Sequence, residues 1–202
     1  KLTPFELIIC CGLKYFELSN VKLLILEAGL GGRLDATTAH KFRPIIAFGS
    51  IGIDHTEYLG DTLDKITREK AAVIEKGSFV VSSEQNPIVR NIINERVKKI
   101  GAHITWVEPL KEEWELGLKG NFQNHNAAVA LKIAHLLIEK GWSIKQDDIR
   151  KGLAMTKWPG RLEIINFENK KILVDSAHNS SAAKVLSFER ENWLNQERGV
   201  YW

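Results

Sequence analysis

Residues 23–40 read LLILEAGLGGRLDATTAH. An apolar run ends on one carboxylate, Glu27, and glycines follow at 29, 31 and 32, with Arg33 and Asp35 behind them. An uninterrupted apolar run of strand length that stops at glycine is the mark of a strand covered on both faces. The pattern predicts a buried strand over 21–29 with Glu27 at its carboxyl end, where open parallel sheets bind their ligands. The glycine loop is ambiguous. It fails the dinucleotide fingerprint, because Leu34 stands at the third glycine position, and no Lys-Ser/Thr follows to make a phosphate loop. A plain structural turn is the other reading.

Outward from this stretch, strands and helices alternate. Residues 7–16 (LIICCGLKYF) read as a helix and 44–52 (PIIAFGSIG) as a second apolar strand. A helix is predicted over 61–77, with Asp61 as N-cap, Leu63, Ile66, Val73 and Ile74 as inner stripe, and Gly77 as its stop. A short strand over 78–83 precedes a helix over 86–101, opened by Pro87 and closed by Gly101, and a strand over 102–107. Such repeated units imply an α/β fold with a parallel sheet flanked by helices. The texture then changes. A polar, turn-rich stretch (111–123) leads to helices over 124–141 and 147–155. Past Pro159 and Gly160, two strands flank the ENKK turn at 168–171. The domain boundary is set near Pro159: residues 1–159 form one domain, and 160–202, about 40 residues and too few for a core of their own, begin a second α/β domain. The opening KLTPFEL (1–7) and the ending ERGVYW (197–202) both read as cut from something longer.

The composition is that of a globular chain, 44% hydrophobic and 26% charged. A net charge of +3 gives no nucleic-acid or membrane surface, and the basic cluster Arg96–Lys99 reads as a solvated helix face. No run approaches the roughly 20 apolar residues of a membrane span. Cys10 and Cys11 are the only cysteines, and adjacent cysteines are poor disulfide partners, so a reduced cytoplasmic setting is expected.

Glu27 and the segment Ser50–His55 each follow an apolar strand, so a carboxylate and an imidazole could share a divalent cation at one crevice. The plainer reading makes Glu27 a backbone cap and His55 a loop residue. Lys70 lies on or beside the apolar stripe, and a partly buried ammonium needs a reason. An ion pair with Glu69 or Glu27 is one; a carbamate formed on a deprotonated amine, an anionic metal ligand, is another. His178, with Asp175 at a strand end, is again at a strand mouth, whereas His40, His103 and His135 read as structural.

Six stretches in order, LTPFEL (2–7), EAGLGGRLDAT (27–37), SIGIDHTEYLGDTLDKITREKA (50–71), GNFQNHNAAVAL (120–131), WPGRLE (158–163) and VDSAHN (174–179), resemble the dihydrofolate synthase/folylpolyglutamate synthase branch of the Mur ligase superfamily. The resemblance implies a Mur ligase-like central ATPase domain followed by the start of a Rossmann-like C-terminal domain. It implies an ATP-dependent amide ligase that joins L-glutamate to dihydropteroate or a reduced folate, with two Mg²⁺ ions. It makes Glu27, His55 and a carbamylated Lys70 metal ligands. By the same resemblance Asn126 contacts the adenine, Arg161 the phosphates and Asp175 the nucleotide, with His178 beside them. Thr3 and Phe5 then lie near the pteroate ring. The phosphate loop would stand upstream of Lys1, so this piece alone is expected to be inactive; the intact protein is expected to be a cytoplasmic monomer.

Three positions depart from the family pattern, which has Asn at Thr38, Gly at Ala72 and Gly at Ser176. The competing functions are another Mur-type ligase acting on cell-wall precursors, a nucleotide-binding module without catalysis, and, more distantly, a metal-dependent hydrolase.

Overall fold

The structure, a computed structural model, describes residues 2–40, 42–168 and 170–194, with side chains as far as Glu189. The end of the chain from 195, including ERGVYW, and Lys1 lie outside the described residues. Three strands, β1 (Ile45–Phe48), β2 (Phe79–Ser83) and β3 (His103–Val107), form a parallel sheet in the order β1-β2-β3, flanked by helices. By contact the chain divides into two units, and the division crosses each strand. The first holds Lys1–Ile46, His55–Phe79 and Pro87–His103; the second holds Ala47–Asp54, Val80–Asn86 and Ile104–Trp202.

In the first unit, α3 (Leu63–Ala71) packs on α4 (Pro87–Ile100). The helical period sends Ile66 inward from α3, and Val89, Ile92, Ile93 and Val97 from α4. Ile66, Val89 and Ile93 are fully buried with Ile74, each worth about 1.5–3 kcal/mol in apolar burial. Pro87 opens α4 and Gly101, at φ +73°, closes it, as expected.

Two details of α3 differ from the sequence reading. Its N-cap is Thr62, whose Oγ accepts from the Lys65 N–H at 3.3 Å, while Asp61 instead pairs with the Lys65 ammonium at 2.9 Å. The helix also ends at Ala71 rather than Gly77, and just past that end Arg96 reaches over from α4 and donates to the carbonyls of Ala72 and Ile74. Arg96 is thus a half-buried capping group, not part of a solvated basic face.

The largest departure is residues 21–29. They are not a strand, and they are not buried: Ile25 is 85% exposed, and Val21, Leu23 and Leu24 are exposed with it. A strand is a paired state, and no described segment pairs with this one. In front of it, α1 (Pro4–Leu18) carries a capping box, in which Thr3 Oγ accepts from the Glu6 N–H and the Glu6 carboxylate accepts from the Thr3 N–H. Cys10 and Cys11 sit on α1, free and exposed.

In the second unit, α5 (Gln123–Glu139) buries Ala127, Ala128, Val129 and Leu136, and α6 (Gln146–Met155) buries Ile149. The antiparallel hairpin of β4 (Glu163–Phe167) and β5 (Lys170–Val174) follows, as expected, with Asn169 of its ENKK stretch outside the described residues, and α7 (Ser180–Leu194) closes the described chain. No helix among the described residues is long and apolar enough to cross a membrane.

Candidate functional site

The glycine loop is held from within by an acid. Asp35 is 9% exposed, and its carboxylate accepts from the Leu30 N–H at 2.9 Å, the Thr37 N–H at 2.9 Å and the Thr37 hydroxyl. Burial pushes this carboxyl up, but the Thr37 hydroxyl and the N–H groups of Leu30, Thr37 and Gly29 outweigh it and hold it below the usual value. Thr38, one of the departures from the family pattern, donates its hydroxyl to the carbonyls of Gly32 and Asp35 and so belongs to the same turn.

The loop lies against the end of α3. The Arg33 N–H donates to the Glu69 carbonyl at 3.1 Å, and the Arg33 guanidinium pairs with the Glu69 carboxylate at 3.0 Å. A methyl group on Gly32 would stand 2.6 Å from Val73 Cγ1 and 3.0 Å from the Glu69 carbonyl oxygen. Gly32 is therefore glycine because the loop and helix backbones touch there, and the structural-turn reading accounts for it.

This packing opens a cavity of about 570 Å³, lined by Thr3, Phe5 and Glu6, by residues 29–36 of the loop, and by Tyr58, Leu59 and Glu69. Two expected substrate residues, Thr3 and Phe5, are thus brought to the glycine loop; a methyl group on Gly29 would lie 3.1 Å from the Phe5 ring. Sequence reasoning gave Asp35 and the Arg33–Glu69 pair no role. The acid was readable, since Asp followed two residues later by Thr is a local side-chain turn. The ion pair spans 36 residues and left no local signal.

The three expected metal ligands are not lining residues of this cavity. Glu27 is exposed in the extended segment before the loop. His55 is exposed and stands at φ +49° before the short helix α2 (Thr56–Leu59). Lys70 is half-buried in the last turn of α3, and the ion pair offered to it by Glu69 is not made, because Arg33 holds that carboxylate. Among the described residues no group of three or more His, Cys, Asp or Glu is arranged to hold a metal ion.

The second unit ties WPGRLE to VDSAHN. Asp175 accepts from the Leu162 N–H at 3.0 Å and the Ala177 N–H at 2.8 Å, and the Ser176 N–H donates to the Gly160 carbonyl at 2.8 Å. Leu162, left-handed at φ +46° and buried, is fixed in that geometry, which leaves the preceding Arg161 exposed. His178 is exposed too, with Nε2 4.0 Å from the Asp54 carboxylate. Asn126 lies exposed on the first turn of α5 and donates to the buried Gln123 side chain at 2.9 Å.

No family model matches the chain. Curated relatives do. It is 31% identical to the dihydrofolate synthetase of Saccharomyces cerevisiae over 97% of this chain and 52% of that protein. It is 31% identical to the dihydrofolate synthase/folylpolyglutamate synthase of Bacillus subtilis over 92% of this chain and 48% of that protein. The chain therefore spans about half the length of these relatives. Among solved structures, an FPGS-AMPPCP-folate complex matches 97% of this chain and 53% of its own with a TM-score of 0.91 at 25% identity. Escherichia coli FolC in complex with DHPP and ADP matches 98% of this chain and 49% of its own, with a TM-score of 0.81 at 27% identity. Over the length it covers, the chain is similar in sequence and in fold to proteins named dihydrofolate synthase and folylpolyglutamate synthase.

Proposed function

We propose that the intact protein is an ATP-dependent ligase that joins L-glutamate to a pteroate or folate carboxylate through an acyl phosphate. The observation that carries the reading is the cavity in which Thr3 and Phe5 meet the loop organised by Asp35. Its volume suits one fused ring with a short acidic tail, and Phe5 offers an aromatic surface against which such a ring stacks. The relatives named for these two synthase activities, and a neighbour solved with folate and an ATP analogue, support it.

In this reading the substrate carboxylate attacks the γ-phosphorus of ATP, giving an acyl phosphate and ADP. The glutamate amine then attacks the acyl carbon and phosphate leaves. Neither step needs a protein nucleophile; both need positioning and charge neutralisation. Arg161, exposed on a turn fixed by Asp175, supplies positive charge to the phosphates, with Asp175 and His178 beside it and Asn126 on the adenine. Glu27, His55 and Lys70 fit Mg²⁺ in one mode. An exposed carboxylate such as Glu27 suits an ion that keeps its waters and arrives with substrate phosphates, rather than one caged by protein. When bound, the metal would neutralise charge on the transferring phosphoryl group. Lys70 would serve as a ligand only as its carbamate, and Glu69, one of the two carboxylates offered to it as an ion-pair partner, is held by Arg33.

We further read residues 160–202 as the start of the C-terminal domain, and the intact protein as a cytoplasmic monomer. The test is ADP formation by the intact protein with Mg·ATP, omitting the pterin acid and L-glutamate in turn. ADP that requires both supports the ligase. ADP without glutamate, or none, refutes it and leaves a hydrolase or a binding module.

A further inference from the structure

The segment after β1 is gripped from two sides within the second unit. From the end of β2, the buried Gln85 accepts from the Ile51 N–H at 3.0 Å and donates to the Gly49 carbonyl at 2.7 Å. From the other side comes the turn that starts α7. Asn179 donates from Nδ2 to the Asp54 carboxylate at 2.9 Å, and its Oδ1 accepts from the Ala182 N–H at 2.8 Å. The amide orientation is forced, since a flip would face its oxygen toward a carboxylate and its NH₂ toward an N–H. At Gly52 a methyl group would stand 2.3 Å from Ser181 Oγ and 2.7 Å from Ser181 Cβ, so the Ser181 side chain packs directly on the Gly52 backbone. The same helix is tied again further along, where the buried Glu189 accepts from the Asn121 N–H at 2.6 Å, just ahead of α5.

α7 is therefore anchored to two segments that run directly into residues proposed for the metal and for the adenine. Asp54 precedes His55, and Asn121 lies five residues before Asn126. His55 itself sits in a left-handed conformation that a residue with a side chain adopts only when its surroundings hold it. We infer that Asn179 is a positioning residue for the phosphoryl-transfer step, and that its hydrogen bond to Asp54 latches the 50–54 segment, the stretch of chain that leads into His55. The inference rests on the ligase reading above for its chemistry, but not for the latch itself.

The test uses the intact protein and a swap. Asn179→Asp keeps the cap on Ala182 but faces a carboxylate with a carboxylate, and adding Asp54→Asn restores a donor with the hydrogen bond reversed. Asn179→Asp alone should lower kcat for ADP formation about tenfold or more while leaving the KM for ATP within about threefold, the size expected for losing a charged hydrogen bond. The double variant should return to within about threefold of wild type. Amide hydrogen exchange over 51–55 reads the latch without any activity: it should speed up in the single variant and slow again in the double. A single variant with normal turnover overturns the positioning role, and a double no better than the single overturns the pair. Should the wild type lack glutamate- and pterin-dependent ADP formation, the ligase reading fails, and unchanged exchange in Asn179→Asp separately refutes the latch.

Discussion

Removing the Asp35 carboxylate should cost the first unit much of its stability, and the geometry sets the size. In Asp35→Ala the Thr37 N–H and hydroxyl lose their acceptor inside a residue only 5% exposed. Gly29 and Leu30 are exposed, so their N–H groups can turn to water. A buried donor without a partner costs about 1–3 kcal/mol, and a hydroxyl, being free to rotate, falls at the low end, so the total is about 2–4 kcal/mol. Against the roughly 5–15 kcal/mol of a whole domain this is a large share. In a urea titration followed by circular dichroism, with a slope of about 2 kcal/mol/M, the midpoint should fall by about 1–2 M at unchanged slope. Asp35→Asn, which can still accept from Thr37 through its one oxygen, should lose less. The pH dependence has a definite sign. The folded-state pKa lies below the ordinary 3.8, so the carboxylate's contribution is complete above that value and is lost as pH falls through the folded pKa. The gap between wild type and Asp35→Asn should therefore narrow below about pH 3.8. An Asp35→Ala midpoint within about 0.2 M of wild type would refute the claim that this acid organises the loop.

Two further outcomes follow from named contacts. Thr62→Ala should destabilise by about 1 kcal/mol through the lost cap on Lys65, whereas Asp61→Ala should leave the thermal midpoint unmoved; the reverse order would return the cap to Asp61. Arg161→Ala should lower turnover by about 100-fold or more with ATP affinity little changed, as measured by nucleotide titration beside steady-state kinetics; equal losses in both would make Arg161 a plain binding residue.

What the sequence made legible was what periodicity and local chemistry encode. The α3 stripe at Ile66, the Pro87 and Gly101 bounds of α4 and the β4–β5 hairpin each depend on residues within one or two turns of each other. The same logic, pressed harder, would have turned Arg96 inward: it falls at i+3 from Ile93 and i+4 from Ile92, inside the apolar stripe, and only its membership of a basic cluster disguised it. Residues 21–29 failed for the opposite reason. Their apolar run states what the segment can do, but a ladder also needs a partner, and nothing local names one. The site divides in the same way. The family resemblance put Thr3 and Phe5 near a pteroate ring but not at the glycine loop, and the groups that hold the loops in position are long-range: Arg33 to Glu69 over 36 residues, and Asn179 to Asp54 over 125. A motif records which groups touch the ligand. The contacts that aim those groups are spread along the chain, and only the folded structure brings them onto the same page as the chemistry they serve.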